Sequence, residues 1–409
     1  MIDIKKLRED PGFFRKATRA KNRDPQLVNK VLELDKKRRE ILQGVETLRA
    51  ERNKLGKEDI KRAKAIKAEL KKLEVELAQL DTKLKDLAWK LPNPALADVP
   101  LGKDENSNVE VRKWGKIPKF DFSIKSHDQL GESLDVIDTL RAAKVSGTRF
   151  GYFKNEGVLL EMALLNLGFK FLLTKGFIPI LPPVMIKTEV MSALGYNNYG
   201  FEDTYCLPED NLCLVATAEH AIVPYLKDEL LSEEDLPRRF VGFSTAFRRE
   251  AGSYGKDTKG VLRVHQFNKL EMVSFVKPKE SEKEHQFLLS LEEELMQRLK
   301  LPYRVVQMVT GDLGDPAANK LDIETWFPSE KRYRETHSVS NTTDYQARRL
   351  NIRFKGKDGS DFVHILNGSV FSERPILAIL ENYQQADGSV KVPEVLQDYV
   401  GEGIISPKS

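Results

Sequence analysis

The sequence predicts an α+β protein, in which an N-terminal antiparallel two-helix coiled coil is joined to a larger domain with a mostly antiparallel sheet flanked by helices. Residues 31–91 contain no proline and place apolar side chains at alternating steps of three and four. Such steps put a narrow apolar seam along one side of a helix. After Lys119, short β-like runs are joined by loops too short for a crossover helix, which favours antiparallel pairing.

The N-terminal pattern consists of two seams separated by Gly56. The first seam holds Val31, Leu34, Arg38, Ile41, Val45, Leu48, Arg52 and Leu55, and the second holds Ile66, Leu70, Leu73, Leu77, Leu80, Leu84, Leu87 and Leu91. A reversal among the polar residues around Gly56 lets the two seams pack together. We therefore predict a helical hairpin over about 27–91, inside an N-terminal domain of residues 1–100.

This N-terminal region is basic. Residues 1–91 contain 26 Lys and Arg against 16 Asp and Glu, a balance of +10, whereas the rest of the chain holds 40 against 46, a balance of −6. The basic residues near the reversal are Lys54, Lys57, Lys61, Arg62, Lys64 and Lys67. Such a tip suits phosphate contacts with a nucleic-acid backbone. A dimerising coiled coil with a solvated surface is the alternative that this region leaves open.

The hairpin pattern stops at Leu91, where Pro92, Asn93 and Pro94 follow. Residues 101–120 are predicted to be a linker and residues 121–409 a second domain. In that domain the predicted helices cover 158–175, 280–299 and 375–383. The predicted strands cover 177–181, 240–247, 261–267, 271–276 and 303–309.

Composition excludes several classes of protein. We find no apolar run near the roughly 18 residues of a membrane span, and the charged start is not followed by the apolar stretch of a signal peptide. Cys206 and Cys213 are too few for a disulfide framework, which indicates a reducing compartment. We expect two ordinary thiols, with a metal-binding pair as the weaker alternative, in a cytoplasmic protein without a membrane partner.

The first stretch with chemical information is FRREAGSYGKDTKGVLRVHQFNKLEM at 247–272. It reads as a β-like run, a polar loop and a second β-like run, which brings Arg248, Glu250, Phe267 and Glu271 together across a hairpin. A guanidinium holds a phosphate or carboxylate through paired hydrogen bonds. An aromatic ring can stack on a nucleobase, and a carboxylate can accept from an amino group.

This stretch resembles motif 2 of the class II aminoacyl-tRNA synthetases, in the form found in the bacterial-type seryl-tRNA synthetase family. Further segments agree with that resemblance in chain order and extend it over essentially the whole sequence. They are GFIPILPPVM at 176–185, LVATAEH at 214–220, YRETHSVSN at 333–341 and HILNGSVFSERPILAILENYQQADGSVKVPEVLQ at 364–397. The resemblance implies a class II catalytic domain over 121–409 and a tRNA-binding N-terminal domain.

The resemblance also implies roles for individual residues. The residues implied to bind ATP are Arg248, Arg249, Glu250, Val264, Phe267, Glu335, Thr336, His337, Ser338 and Arg374. The residues implied to bind serine are Thr217, Ala218, Glu219, Arg248, Glu271, Asn367 and Ser369. Arg248, Glu335 and Arg374 are the implied catalytic set, and Glu335 and Ser338 are the implied ligands of Mg²⁺. Pro183 is implied at the interface of a homodimer.

The implied activity is the ligation of serine to tRNA. Serine first attacks the α-phosphate of ATP. A ribose hydroxyl of tRNA(Ser) then attacks the activated carbonyl. The family generally also charges tRNA(Sec), so the resemblance implies this second tRNA as well. Neither step needs a protein nucleophile, so catalysis rests on positioning and charge neutralisation. Two alternatives stay open: a paralogue that activates an amino acid without charging tRNA, and a catalytically dead homologue that binds RNA.

One segment departs from the family pattern. VFSE precedes Arg374, so this arginine stands one residue closer to Ser369 than the family pattern has it. Glu373 also adds a negative charge where the phosphates of ATP are expected. The role of Arg374 is therefore the assignment that the sequence supports least.

Overall fold

A computed structural model describes residues 1–56, 59–251, 260–357 and 359–408. Two compact units make up this part of the chain, Met1–Ala95 and Leu96–Ser409. The polar loop predicted at the centre of 247–272 falls largely on residues 252–259, and Lys57 of the predicted basic tip is also outside the described residues.

The N-terminal unit is helical. Its helices are α1 (Ile4–Glu9), α2 (Pro11–Ala20), α3 (Gln26–Arg52) and α4 (Ile60–Trp89). Val45, Ile66 and Leu70 are buried where α3 and α4 pack together, as the steps of three and four require. The predicted two-helix hairpin is confirmed.

Ion pairs between α3 and α4 follow the antiparallel direction. Arg49 pairs with Glu74 at 2.8 Å and Arg62 with Glu51 at 2.6 Å, so that later residues of α3 meet earlier residues of α4. Exposed pairs of this kind contribute little to stability. The apolar seam is therefore the main source of the hairpin's stability.

The second unit mixes strands and helices. Its strands are β1 (Val109–Trp114), β2 (Ile137–Asp138), β3 (Tyr152–Phe153), β4 (Ile178–Ile180), β5 (Met185–Lys187), β6 (Cys206–Leu207), β7 (Leu212–Leu214), β8 (Leu230–Ser232), β9 (Arg238–Phe247), β10 (Gln266–Val276), β11 (Tyr303–Gln307), β12 (Asn319–Phe327), β13 (Arg332–Asn341), β14 (Arg353–Gly356), β15 (Gly359–Phe362), β16 (His364–Ser372), β17 (Val390–Lys391) and β18 (Ile404–Ile405). Its α-helices are α5 (His127–Ser133), α6 (Thr139–Ser146), α7 (Glu156–Thr174), α8 (Thr188–Leu194), α9 (Glu219–Ile222), α10 (Ser281–Arg298), α11 (Tyr345–Leu350), α12 (Arg374–Asn382) and α13 (Glu394–Val400).

In the described part of the chain, eight strands form the main sheet in the order β1-β11-β12-β13-β16-β10-β9-β4. Neighbours in this sheet pair antiparallel, except that β4 runs parallel to β9. Helices α7 and α10 pack on the sheet and contribute buried side chains such as Leu164 and Leu288 to the core. The predicted mostly antiparallel sheet flanked by helices is confirmed.

Two sequence predictions need correction in this sheet. The predicted linker 101–120 contains β1, which forms an edge strand beside β11. The runs predicted at 261–267 and 271–276 are not two strands. One strand, β10, begins at Gln266 and continues to Val276, and residues 261–265 precede it as irregular backbone.

The helix predicted at 158–175 is confirmed as α7, but the expectation that no apolar run approaches a membrane span was wrong. Helix α7 is long and apolar enough to meet the length and composition of a membrane span, and it is the one such helix among the described residues. More than half of its apolar window is buried inside the protein, with Leu160, Leu164 and Leu172 in the core. Burial of this kind is typical of a core helix.

The two cysteines are not free thiols. Cys206 and Cys213 lie opposite each other where β6 pairs with β7, and they form a disulfide. Cys213 stands seven positions after Cys206 along the chain, and the hairpin brings their Cα atoms together. The sequence-based expectation of two ordinary thiols was wrong because the hairpin register was not foreseen.

Candidate active site

A cavity opens beside β10, β13 and β16. It is lined by Arg248, Glu250, Val261, Leu262, Arg263, Val264, Phe267, Lys269, Glu335, Thr336, Ser338, Ser369, Ser372, Glu373 and Arg374. Charged residues of both signs face one space, so the cavity can bind a ligand that carries several phosphates.

Strand β10 forms one wall of the cavity, because every second side chain of a strand points to the same face. Phe267 and Lys269 line the cavity, and Glu271 follows on the same face, almost fully buried. The Lys269 ammonium lies 2.6 Å from Glu271 Oε2. Sequence reasoning missed Lys269, although its place two residues before Glu271 was a signal that it shares the same face.

A β-bulge lets Glu335 and Ser338 face the same cavity. Residues three apart in a regular strand point to opposite faces. Between β12 and β13 the register shifts, so that Glu335 pairs with Glu324 and Ser338 pairs with Asp322. Glu324 and Asp322 are two residues apart, and the extra residue in β13 therefore returns Ser338 to the face of Glu335.

A second bulge acts in the same way on β16. Leu270 pairs with Phe371 and Glu271 pairs with Ser369, which leaves Val370 as the extra residue. Ser372 then pairs with Lys269. Because Lys269 and Glu271 share one face, Ser369 and Ser372 both face the cavity.

Arg248 follows β9 and is held from several sides. Its backbone N–H donates to His265 O at 2.9 Å, and its Nε donates to Ala216 O at 3.3 Å. The guanidinium carbon lies 5.0 Å from the centre of the Phe267 ring. Burial and the nearby Arg374 guanidinium lower the pKa of Arg248, although a guanidinium keeps its proton at neutral pH. This site therefore holds a fixed positive charge.

Glu335 is the main anionic group of the cavity wall. Arg374 Nη1 donates to Glu335 O at 2.8 Å and to Glu335 Oε2 at 3.2 Å. Burial would raise the pKa of Glu335, but Lys320, Arg374 and Arg248 outweigh burial and hold this pKa at about 2. Glu335 is thus ionised at neutral pH, and the shortened segment before Arg374 still brings its guanidinium into the cavity.

A second group of residues lies behind Glu271, at the start of α9. Thr217 Oγ1 donates to Glu271 Oε2 at 3.1 Å. Glu219 accepts from Tyr196 OH at 2.9 Å and from Gln346 Nε2 at 3.1 Å. Burial and the charge of Glu271 raise the pKa of Glu219 to about 7. Ala218 is buried immediately before α9. Tyr196 and Gln346 come from distant segments with no pattern of their own, so the sequence offered no signal for them.

The remaining residues predicted for ATP and serine have different surroundings. Glu250 accepts from Arg263 Nη1 at 2.7 Å beside Val264. Arg249 lies over the ring of Tyr205, with its guanidinium carbon 5.6 Å from the ring centre. Asn367 is buried two residues before Ser369.

Thr336 and His337 follow Glu335 on β13 and are both buried. Thr336 lines the cavity, but its hydroxyl bonds Thr325 Oγ1 at 2.7 Å. The His337 ring packs edge-on against Phe371 and its Nδ1 bonds Thr336 Oγ1. Burial lowers the pKa of His337 to about 4. These contacts turn the imidazole away from the cavity lining.

Two predicted contact regions are not among the residues that line this cavity. At the hairpin tip Lys54, Lys61, Arg62, Lys64 and Lys67 are exposed. Pro183 is exposed between β4, an edge strand of the main sheet, and β5.

The described residues contain no group of three or more His, Cys, Asp or Glu side chains arranged to hold a metal ion. A Mg²⁺ ion at the cavity wall would therefore rely on two protein oxygens, the Glu335 carboxylate and the Ser338 hydroxyl. That sparse set fits Mg²⁺, because this ion keeps several waters and binds substrate phosphates. The ionised state of Glu335 also fits it.

Comparison with known families first defines the class of protein. Residues 199–383 match the model described as tRNA synthetase class II core domain (G, H, P, S and T). These residues include β9, β10, β13 and β16, which build the cavity. The fold and the cavity are those of a class II aminoacyl-tRNA synthetase.

Residues 1–95 match the seryl-tRNA synthetase N-terminal domain. The chain is 45% identical to the serine–tRNA ligase of Thermobifida fusca over 100% of its own length and 99% of that relative. It resembles the crystal structure of seryl-tRNA synthetase from Pyrococcus horikoshii complexed with ATP, with a TM-score of 0.94, 39% identity and full coverage of both chains. The chain belongs to the seryl-tRNA synthetase family, and with it to the aminoacyl-tRNA ligases.

Proposed function

We propose that this protein activates L-serine with ATP and transfers the serine to tRNA(Ser). The observation that carries the proposal is the convergence of Arg248, Glu335 and Arg374 on one cavity, whose lining residue Lys269 pairs with Glu271. The relatives named serine–tRNA ligase support the same activity. No nucleophilic side chain is required, because the substrate carboxylate and a ribose hydroxyl are the two nucleophiles.

In the first step, a serine carboxylate oxygen attacks the α-phosphorus of ATP and the bond to pyrophosphate breaks. Arg248 binds both the α-phosphate and the carboxylate, so it neutralises the charge that builds between them. Phe267 stacks on the adenine ring, Glu250 accepts from the adenine amino group, and Val264 packs at the ring edge. Arg374 binds the γ-phosphate and exchanges its contact with Glu335 for it.

Serine is selected by groups that need a hydroxyl. Thr217 and Glu219 bind the α-amino group, Glu271 lies between that group and the hydroxyl, and Ser369 with Asn367 meets the hydroxyl. When alanine binds, these polar groups lose a partner. Sites of this kind reject the analogue that lacks the hydroxyl by large factors.

Glu335 and Ser338 would hold Mg²⁺ beside the phosphates of ATP. When bound, the ion would neutralise phosphate charge. The chain's own part is to present an ionised carboxylate and a hydroxyl on one face of β13, which the bulge between β12 and β13 makes possible.

In the second step, a ribose hydroxyl at the 3′ end of tRNA attacks the carbonyl carbon of seryl-adenylate and AMP leaves. The N-terminal domain binds that tRNA through the basic tip, residues 54–67, whose described cations are exposed. Contacts of this kind read phosphates and position the tRNA. We include tRNA(Sec) as a second substrate.

The active protein is a homodimer of this chain. Val158, Leu159 and Met162 of α7 are exposed apolar residues, and Ile178 and Leu181 at the edge strand β4 are exposed as well. An apolar face beside an unpaired sheet edge is typical of a surface that another subunit covers. Pro183 belongs to the same edge.

We place the protein in the cytoplasm, where tRNA and ATP are available. The proposal rests on these substrates alone. The cysteines no longer support it, because Cys206 and Cys213 form a disulfide and disulfides are uncommon in cytosolic proteins.

Serine-dependent exchange of pyrophosphate into ATP, followed by aminoacylation of tRNA(Ser), tests the proposal. We expect exchange with serine, at least about a hundredfold less with alanine, and transfer to tRNA(Ser). Exchange without transfer would support the paralogue that charges no tRNA. Binding of tRNA without exchange would support the dead homologue.

A further inference from the structure

Glu373 stands where the strand β16 gives way to the helix α12. The last residue pair between β10 and β16 is Lys269 with Ser372, and α12 begins at Arg374. No β16 residue is therefore left to pair with Asn268. Glu373 occupies the N-cap position of α12, but its side chain does not cap the helix.

The Glu373 side chain instead accepts the hydrogen bond that a further β16 residue would otherwise accept. Glu373 Oε1 accepts from the Asn268 backbone N–H at 3.0 Å. The Asn268 side chain is fixed as well, because its Nδ2 donates to Glu161 Oε1 at 2.7 Å and its Oδ1 accepts from Thr245 Oγ1 at 2.9 Å. Asn268 is thus anchored to α7, β9 and the start of α12.

Two neighbouring residues hence connect the walls of the cavity. Glu373 binds the backbone next to Phe267, and Arg374 binds Glu335 on β13. We infer that Glu373 is a positioning residue, whose carboxyl group fixes the distance between the adenine-stacking Phe267 and the phosphate-binding Arg374 in place of the missing strand residue. This inference rests on the proposed function, because it assigns both of those roles.

The protonation state of Glu373 matters for this contact. Burial and the neighbouring Glu161 raise the pKa of Glu373 to about 8, and burial also raises the pKa of Glu161. The other charged groups that line the cavity are Arg248 and Glu250 after β9, Arg263 and Lys269 before and on β10, Glu335 on β13 and Arg374 on α12. At pH 7 a neutral Glu373 adds no negative charge beside the phosphates. Above about pH 8 it ionises next to Glu161 and to ATP.

The test compares Glu373→Ala, Glu373→Gln and the exposed control Glu394→Gln in serine-dependent pyrophosphate exchange from pH 6 to 9. Loss of the acceptor in Glu373→Ala should raise the KM for ATP about tenfold, with little change in the KM for serine. Glu373→Gln keeps an acceptor oxygen and should restore the KM at pH 7. The wild-type KM for ATP should rise above about pH 8, and Glu373→Gln should remove that rise.

Thermal unfolding gives a readout that does not depend on activity. Since ionisation of Glu373 is unfavourable in the fold, Glu373→Gln should gain stability over the wild type as pH rises from 5 to 9. A wild-type KM for ATP in Glu373→Ala, or an unchanged alkaline rise in Glu373→Gln, would overturn the inference. If Glu373→Ala does not fold, the pH profile of Glu373→Gln decides alone. Absence of exchange in the wild type would instead refute the proposed function.

Discussion

At the scale of single residues, the proposed recognition of serine depends on the Ser369 hydroxyl, which shares a face with Glu271. Ser369 and Glu271 are paired across β16 and β10. We expect Ser369→Ala to reduce the preference for serine over the substrate alanine by about tenfold or more. In the wild type, bound alanine leaves the Ser369 hydroxyl without a partner, and the variant no longer carries this hydroxyl. Pyrophosphate exchange with each amino acid measures the preference. Ser290→Ala, in the exposed part of α10, is the control, and an unchanged preference in Ser369→Ala would remove this residue from the pocket.

Glu292 allows a second test at this scale. Its side chain is fully buried, and Oε1 lies 3.0 Å from where a Cβ on Gly368 would stand. Burial, Glu271 and Asp322 raise the pKa of Glu292 well above its usual value. A folded-state pKa above the unfolded one means that stability is lost as pH rises from about 4.5.

Glu292→Gln should therefore unfold at a higher temperature than the wild type at pH 8, by a few °C, because roughly 1 kcal/mol shifts the Tm of a domain of this size by about 2 °C. The difference should shrink at pH 5. Thermal unfolding at both values checks this, with the exposed Glu132→Gln as the control. A difference in unfolding temperature that does not depend on pH would show that ionisation of the Glu292 carboxyl does not destabilise the fold.

The residues of the site were easier to predict from the sequence than the side of the sheet that their side chains face. The alternation of β10 made Phe267 and Glu271 foreseeable as one face, and Lys269 with them. Glu335 and Ser338 share a face only because one extra residue is inserted in β13. Ser369 and Ser372 share a face because Val370 is an extra residue in β16. A bulge depends on the pairing of two distant strands, so no local spacing predicts it.

At the scale of elements, the positive charges at the tip of the helical hairpin can be removed to test their part in tRNA binding. We expect replacement of Lys61, Lys64 and Lys67 by Gln to weaken tRNA binding and to lower its salt dependence. Each lost phosphate contact should reduce the slope of log K against log salt by roughly 0.7–0.9. Arg62 is left in place, because Glu51 already neutralises part of its charge. Filter binding of tRNA(Ser) over a salt series measures the slope.

A charge-matched control separates the tip from the rest of the hairpin. Lys36, Lys37 and Lys83 are exposed on α3 and α4 away from the tip, and their replacement by Gln removes the same net charge. Equal loss of binding in both triple variants would mean that the general charge of the hairpin, and not its tip, attracts tRNA. Pyrophosphate exchange should stay unchanged in both.

The same scale shows where element prediction succeeds. Heptad spacing over 31–91 gave both helices, because a coiled-coil seam is written in local steps. The strand β1 was missed inside the expected linker, since an edge strand of a few residues has a weak pattern and needs its partner β11 to form. The disulfide was missed for the same reason, because it depends on the pairing of β6 with β7.

At the scale of the whole molecule, helix α7 has two faces with different tasks. Leu159 and Met162 are exposed, at 42% and 43% of their surface, whereas Glu161 between them is buried and binds Asn268. The helix therefore joins the apolar surface proposed for the homodimer to the strand that carries Phe267. In the proposed homodimer, a change in subunit association would therefore reach Asn268 through Glu161.

We expect the double variant Leu159→Glu and Met162→Glu to shift the protein from dimer to monomer, because two buried carboxylates in each copy of the interface cannot be solvated. Symmetry doubles the effect, since a homodimer interface contains each substitution twice. Sedimentation velocity measures the association state, and Val75→Glu on the exposed surface of α4 is the control. The monomer should also bind ATP more weakly, as the turn of α7 that holds Glu161 loses its support. A double variant that stays dimeric would place the subunit interface elsewhere. A monomer with unchanged affinity for ATP would show that Glu161 holds Asn268 without help from the partner subunit.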